Sequence, residues 1–487
     1  MSTSTSPATS EAVGGRGTPL VAALVFIALV VAAIGSLGAP LITAVAQDYG
    51  VSLTASQWTL TATLLTGAVA TPLLGRLGSD RRRRTVVLGT LIAVLVGSVA
   101  TVVPGPFALL LAGRAAQGVG LGLTALMMAT ARRHLGGRAP STIAMLSVAS
   151  TVGIGIGYPA AGLLTQFGGV RAAYLLGLVV AAAALLIGIV ALPRDTTPAA
   201  EKTTDTTKDT ASQVGGADWL GAVLLSLGLV AVLVVASETG LWTSRPVVAG
   251  IVLAAGIVVL AGWVAVERRV RRPLVDLIAL RHPAVAGANL IMAVSGVAMY
   301  LLFTLITRYV QTPPLAGYGY GLTDFEAGLV LVPFSVLGFV AGRIVPKLRG
   351  RLGPFPLLAA SGVVVALACA LFAASRSLGV AWPIVAMGVL GFGVGGFSAS
   401  MPQAILAVTP PTETAAAMSV NQVVRSVGFA LGSALSGLLL AAATPVAQFV
   451  PTGVGYTVAA WVGAGLAVAS IALALGAQNR VSRTLAS

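Results

Sequence analysis

The stretch GRLGSDRRRR, Gly75–Arg84, sits between two long apolar runs, one ending near Leu74 and one starting at Thr85. It concentrates four arginines and an aspartate in a chain that carries little charge elsewhere. Hydrophobic residues make up 57% of the 487 residues, charged residues only 9%, and the mean hydropathy is +0.97. A soluble domain of that length needs several times more charge to cover its surface. Apolar runs of about 20 residues recur along nearly the whole chain, each able to cross the roughly 30 Å hydrocarbon layer as a helix. Lipid offers the backbone no partners, so a crossing segment satisfies its own hydrogen bonds. The strict alternation of a membrane barrel is missing. The fold class expected is all-α, in a polytopic membrane protein.

Fourteen spans are expected, at approximately 20–43, 56–75, 85–104, 106–130, 141–165, 172–193, 218–238 and 246–266, then 284–309, 326–346, 355–375, 379–404, 415–442 and 455–477. The polar, Ser- and Thr-rich start of the chain does not read as a cleaved signal peptide. Orientation follows from the basic residues. With the N-terminus inside, one set of loops carries Arg81 to Arg84, Arg132, Arg133, Arg138, Arg268, Arg269, Lys347 and Arg349. The opposite set carries only Arg171, Arg245, Arg308 and Arg376. The expectation is a multi-pass protein of the cell (cytoplasmic) membrane with both termini cytoplasmic. The arginines then hold their loop inside, and the net charge of +15 requires no nucleic acid partner.

The organisation reads as six spans, two, and six. A disordered cytoplasmic tail (1–19) precedes an N-terminal six-helix bundle (20–193). The polar segment RDTTPAAEKTTDTTKDTASQVGGA is a cytoplasmic linker (194–217). Two extra helices (218–266) and a basic cytoplasmic loop (267–283) follow, then a C-terminal six-helix bundle (284–478) and a short tail (479–487). The Gly75 loop has a counterpart after the second span of the last six, GRIVPKLRGRLGPFPLL at 342–358. Transporters are commonly built from such repeated halves, with the substrate path between them.

Three further stretches carry polar or helix-distorting residues inside apolar runs. RAAQGVGLG places Arg114 within span 4, with Gln117 and Gly118 on about the same helix face. An intramembrane guanidinium needs a partner or a wet cavity, unless it snorkels from the span's outer end. GIGIGYPAAGLLTQFG combines the small-residue pair Gly153 and Gly157 with Pro159 and Gly162 in span 5. Small residues let helices approach closely, and proline removes a backbone hydrogen bond. SVNQVVRSVGFALGSALSG puts Asn421 and Arg425 within span 13.

Together these stretches resemble the major facilitator superfamily, and within it the fourteen-span drug:proton antiporters. The Gly75 loop is similar to the superfamily's loop between spans 2 and 3. Gly75 and Leu77 match, while Asp80 stands one place late and Arg82 takes a glycine position. The resemblance implies a gating role for Asp80, Arg83 and Arg84, and topology charge alone is the other reading. RAAQGVGLG is similar to the span 4 motif and the Gly153 stretch to the antiporter motif of span 5. SQWTLTATLL, with Gln57, is similar to the start of span 2 in these antiporters. The implied fold is two six-helix bundles plus two additional helices. The implied function is proton-coupled export of hydrophobic drug-like or antibiotic compounds by alternating access, with Gln57, Arg114, Gln117, Gly118, Asn421 and Arg425 in or near the cavity. Expected partners are a small hydrophobic substrate, protons and the bilayer. The chain is expected to act as a monomer without a cofactor, on the energy of the proton gradient.

The acids depart from this pattern. A proton-coupled carrier needs a carboxylate whose pKa moves as water access changes, yet none of the fourteen acidic residues falls in the middle of a span. Glu326 is the preferred proton site and Asp48 the next, with a helix-capping role for Glu326 as the competing reading. Enzyme signals are nearly absent. His134 and His282 lie in basic loops, Cys369 is the single cysteine, no metal site is expected and no GxxxxGK[ST] occurs. The alternatives are a metabolite facilitator or importer of the same superfamily and, remotely, a membrane-embedded enzyme.

Overall fold

The structure is a computed structural model that describes the chain except for residues 1–10, 39–40, 52, 79–81, 195–218, 238, 271–281, 349–350, 411–413, 446–450 and 487. Asp80, almost all of the 194–217 linker and most of the 267–283 loop therefore lie outside the described residues. No strand occurs among the described residues. The first group of helices is α1 (Glu11–Ser36), α2 (Ile42–Tyr49), α3 (Leu53–Leu77), α4 (Arg83–Val102), α5 (Phe107–Gly118), α6 (Leu123–His134) and α7 (Ala139–Ala191). Next come α8 (Trp219–Ser237), α9 (Thr239–Ser244) and α10 (Pro246–Glu267). The last group is α11 (Pro283–Gln311), α12 (Asp324–Val330), α13 (Val332–Leu348), α14 (Pro354–Ser375), α15 (Ala381–Leu406), α16 (Thr414–Ala442) and α17 (Gly453–Ala486).

Among the described residues 12 helices are long and apolar enough to cross a membrane, with Leu220–Val232 of α8 as a shorter apolar stretch. That count takes Gly155–Ala191 as one span, although α7 is 53 residues long. A straight helix of that length measures about 80 Å, far more than a bilayer core. The two ends of α7 share one end of the molecule. Arg138, just before α7, bonds Thr18 Oγ1 at 3.3 Å, and the Ile189 carbonyl accepts from Arg84 at 2.7 Å. The chain reverses at Gly168 and Gly169, which are non-helical, and Gly169 has φ 67°. That left-handed value is open to glycine because it lacks a Cβ.

Helix ends depart from the sequence expectation in three places. α1 begins at Glu11, so residues 11–19, read as tail, continue the helix, and α17 runs to Ala486 through the expected 479–487 tail. Each added residue extends an existing helix for one more backbone bond, at none of the cost of nucleation. Span 1 also ends early, at Ser36, and the separate short helix α2 follows it.

Packing gathers the helices into two groups. α1 packs on α7, α3 on α5, and α4 on both α5 and α7. In the second group α11 packs on α16 and α17, α13 on α15, and α14 on α15 and α17. The groups meet where α7 lies against α13 and α15, and where α16 lies against α3 and α6. α8 flanks that seam through Ala222, Leu225 and Leu229, against Leu73 and Val423 among others. α10 lies outside it and buries only Ala249, Gly256 and Glu267.

In lipid the association of helices depends on close fit, because hydrocarbon is as apolar as leucine. α15 shows how that fit is made. A Cβ at Gly391 would fall 2.6 Å from the carbonyl carbon of Phe334, and one at Gly395 would fall 2.8 Å from the Cα of Gly338. Both clashes are with the backbone of α13, which cannot swing aside as a side chain can. Gly395→Val is therefore expected to force α13 and α15 apart, at a cost of about 1–3 kcal/mol or more. Gly250 of α10 has nothing within 4 Å of its Cβ direction, so Gly250→Ala serves as the control. The melting temperature of purified protein in detergent should fall for the first variant and hold for the second. Equal values would show that the glycine contact does not set the packing.

Candidate functional site

Span 4 is helical to Gly118, passes through a 3-10 segment at Val119–Gly122, and resumes as α6. Glycines at 118, 120 and 122 have low helix propensity and admit neighbouring backbone. Gly118 lies directly against Thr63 and Thr66 of α3, and Gly122 against Thr71. Arg114 stands just before this distortion and is fully buried. Its Nε donates to the Thr59 carbonyl at 3.0 Å, Nη1 to the Ile34 carbonyl at 2.8 Å, and Nη2 to the Gly35 carbonyl at 3.1 Å. Nη1 also donates to Gln117 Oε1 at 2.7 Å, and Gln117 Nε2 donates on to Ser98 Oγ of α4 at 3.0 Å. The Tyr174 ring lies 5.8 Å away.

The cage contains no acid among the described residues. Its negative partners are the last carbonyls of α1, which an ending helix leaves without intrahelical donors and at the negative end of its dipole. Gly38 completes the fit, since a Cβ there would sit 2.8 Å from Arg114 Nη2. Thr63 Oγ1 and Thr66 Oγ1 donate to the carbonyls of Arg114 and Ala115 at 3.0 and 2.8 Å. One guanidinium thus ties α1, α3 and α5, and reaches α4 through Gln117.

The glycines of span 5 divide between two faces of α7. Gly153 and Gly157 face α1, with their Cβ directions 2.7 Å from the Leu29 carbonyl and 2.9 Å from the Ala33 carbonyl. Gly155 faces α13 at Ser335, and the backbone at Pro159 receives Gly328 of α12, whose Cβ direction lies 3.1 Å from the Pro159 Cα. Gly162 is buried in the same helix. Span 5 therefore holds its own group by one face and meets the second group by the other.

At the end of the molecule that carries the basic loops, Gly75 is buried and Leu77 exposed. Arg83 donates to the carbonyls of Gly78 at 3.2 Å and Ala129 at 3.4 Å, and Arg84 to that of Ile189. These described bonds stay within the first group. The bridge to the second group comes from Arg132, at the end of α6. Its Nη1 donates to Thr414 Oγ1 at 2.9 Å, and its Nη2 donates to the carbonyls of Leu406 at 3.1 Å and Thr409 at 2.7 Å. The sequence marks Arg132 only as one basic loop residue among many.

Between the groups lies a narrow cavity lined by residues of both. Thr124, Ala125, Met128 and Ser147 line it from the first group. Met292, Ser398, Met401, Met418, Asn421 and Arg425 are among the residues facing them from the second. Asn421 Nδ2 donates to Asn289 Oδ1 at 3.0 Å, and Asn289 Nδ2 to the Val285 carbonyl at 3.1 Å. The structure thus brings Asn421 and Arg425 to the cavity wall and puts Arg114 and Gln117 in the separate cage. Gln57 lies in the first turn of α3, and its side chain is outside what is described. Four methionines and the Asn289–Asn421 pair escaped the sequence reading. A lone Asn in the apolar run of span 9 was the readable signal.

The acids named as proton sites lie away from this cavity. Asp48 is exposed on α2. Glu326 is exposed in a capping box, its Oε2 accepting from the Thr323 amide at 2.8 Å and from Thr323 Oγ1 at 3.0 Å, while Thr323 Oγ1 accepts from its amide. That is the capping geometry set against the proton role above. Glu267, at the end of α10, is the one buried acid among the described residues, 2% exposed. No group of three metal-ligating side chains occurs among the described residues.

Comparison with known proteins places this geometry in a family. The family model described as Major Facilitator Superfamily matches residues 24–433. The puromycin resistance protein pur8 of Streptomyces alboniger is 29% identical over 458 residues, covering 88% of this chain and 85% of that protein. A multidrug resistance protein B homolog of Mycobacterium tuberculosis is 27% identical, covering 81% of this chain and 70% of that one. Among solved structures, the human organic anion transporter MFSD10 superposes with a TM-score of 0.62 at 16% identity, over 94% of this chain and 99% of the other.

Arg114→Lys is expected to break the cage while keeping the charge. A lysine has three donors on a tetrahedral head and cannot span carbonyls on two helices as the planar fork does. Each buried carbonyl left without a donor costs about 1–3 kcal/mol. Purified Arg114→Lys should melt several degrees below the parent and be inactive in transport. An unchanged melting temperature would mean that the charge alone matters.

Proposed function

Since the chain belongs to the Major Facilitator Superfamily, a family of multi-pass membrane transporters, we propose that it exports hydrophobic drug-like or antibiotic compounds by proton-coupled alternating access. The proposal includes fourteen spans, with α7 counted as two and α8 as one, and two six-helix bundles flanked by α8 and α10. Both termini and the basic loops are cytoplasmic in this reading, which the bias of lysine and arginine supports. The relatives named for puromycin and multidrug resistance support export of such compounds.

One observation carries the mechanism: the cavity lies between the groups, and contacts cross between them on either side of it. At the basic end the crossing contact is Arg132 on the carbonyls of Leu406 and Thr409. At the opposite end it is Gly328 against Pro159. Alternating access opens one of these while the other holds. The acceptors of Arg132 are neutral, so its bonds are modest in net energy, about 1.5–3 kcal/mol each, and can be made and broken in a cycle. Arg132 is the cytoplasmic latch in this reading, while Arg83 and Arg84 bond within the first bundle.

The latch is testable with a cysteine in the cavity wall. Native Cys369 is fully buried, so a Ser147→Cys variant reports the cavity with little background. In everted vesicles, Arg132→Ala should raise the rate at which a membrane-impermeant maleimide labels that cysteine several-fold. An unchanged rate would remove Arg132 from the gate.

Coupling to protons needs a carboxylate that gains and loses water through the cycle. Asp48 and Glu326 are the acids proposed from the sequence, and the burial of Glu267 adds a third. The placement of Glu326 in a capping box favours a second reading, an uncoupled facilitator. Uptake of puromycin into respiring everted vesicles, with and without a protonophore, separates the two. Export with coupling predicts accumulation that collapses on adding the protonophore, and a pH dependence lost in Glu326→Gln or Glu267→Gln. Accumulation indifferent to the protonophore and to both substitutions would leave the facilitator.

A further inference from the structure

The walls of the cavity differ in character from those of a site for cations. Met128, Met292, Met401 and Met418 form an apolar lining from four helices. Methionine is unbranched and polarizable, so such a lining adapts to many shapes. Among the described lining residues the charged one is Arg425, and no acid is present. It shares one face of α16 with Met418, Asn421 and Phe429, at helical spacing. Asn421 is held by Asn289 from α11, which fixes the polar floor one turn before Arg425.

Beyond Arg425 an aromatic column climbs through the second bundle. The guanidinium carbon lies 5.9 Å from the centre of the Phe429 ring. Phe429 stacks on Tyr300 at 4.9 Å between centroids, and Tyr300 on Phe303 at 5.3 Å. Phe303 meets Phe334 edge-on at 5.4 Å. A lining whose charged member among the described residues is a guanidinium, set beside methionines and near an aromatic ring, matches a ligand of the opposite polarity: an oxyanion attached to an aromatic body.

We infer that the compounds bound in this cavity are aromatic or similarly flat amphiphiles bearing an anionic oxygen group such as a carboxylate, and that Arg425 is the residue that selects them. The inference rests on the transport reading above and names its substrate class. A guanidinium forms paired hydrogen bonds with a carboxylate, stronger than those between neutral groups. In a cavity of low dielectric an amine brought beside Arg425 is repelled with little screening. A neutral amide pays neither penalty nor gains the charge-assisted bonds.

Three compounds with one ring system separate these cases: pyrene-1-butyrate, its primary amide, and the matching pyrene butylamine. Uptake is followed by fluorescence in energised everted vesicles that contain the full chain, against vesicles that lack it, with puromycin as a parallel arm. The butyrate should enter about tenfold faster than the amine, with the amide between, the scale set by one charge-assisted contact. Arg425→Gln should erase the ratio and Arg425→Lys should retain its direction. Because the readout is a ratio within one vesicle preparation, a lower yield of folded variant cancels. Equal rates, a preference for the amine, or an undiminished ratio in Arg425→Gln would each overturn the inference. Puromycin taken up while all three pyrenes are excluded also overturns it and leaves export standing. No uptake of any compound overturns the export reading and this one with it.

Discussion

A helix that ends among packed apolar helices exposes carbonyl groups that need donors, and much of the first bundle is arranged around that constraint. α1 stops at Ser36, earlier than its apolar sequence suggests, and the carbonyls of Ile34 and Gly35 are met by Arg114. Because the guanidinium is planar and forked, it serves those carbonyls and that of Thr59 together. The position of α3 relative to α1 follows from this one side chain. The close approach of α3 to α5 at Gly118 brings Thr63 and Thr66 within reach of the span 4 backbone. Burying a charge in this way is costly unless every donor is used, which accounts for the density of polar partners at a single point of an oily protein.

The same chemistry recurs at Arg132 with a different outcome. There too a guanidinium meets carbonyls where a helix ends, at Leu406 and Thr409 beyond α15. Arg114 is fully buried within one group of helices, whereas Arg132 is partly exposed and reaches across to the other. Exposure would let water take over the bonds of Arg132 if the groups parted as the proposed cycle requires, whereas the buried bonds of Arg114 have no such replacement. Arg425 completes the series. It lines the cavity between the groups and lies beside the Phe429 ring. Burial and neighbours, not residue type, distinguish the three arginines, and the brace, latch and binding group proposed for them follow those differences.

This division explains what the sequence could and could not disclose. Apolar runs locate the membrane helices because hydrophobic length is a local property, and the reversal between spans 5 and 6 falls at the paired glycines Gly168 and Gly169. The capping box at Glu326 is likewise local, a threonine three residues before a glutamate. The need of Arg114 for a partner was legible from its place in an apolar run. Its partners were not, because they are backbone carbonyls and carry no residue signature. Arg132 was still less visible: its acceptors lie more than 270 positions away in the chain, and nothing beside it differs from an ordinary orientation charge. The early end of α1 was missed for a related reason, since the residue that makes such an end tolerable belongs to another helix.

The two contacts between the groups differ in kind, and the difference bears on how the proposed cycle would run. At the basic end three directional hydrogen bonds converge from one side chain on Leu406, Thr409 and Thr414. Directional bonds weaken steeply with angle, so this closure is either made or lost. At the opposite end Gly328 rests against the backbone of Pro159, a contact of shape and dispersion that falls away gradually with distance. Rotation of the groups about α7 would release the first abruptly and the second smoothly. Gly153 and Gly157, which face α1, and Gly155, which faces α13, lie on one helix two residues apart, so in the proposed cycle α7 could keep its grip on its own bundle while its other face moves. A single helix with two small-residue faces is therefore enough to let one side of the molecule stay rigid and the other rock.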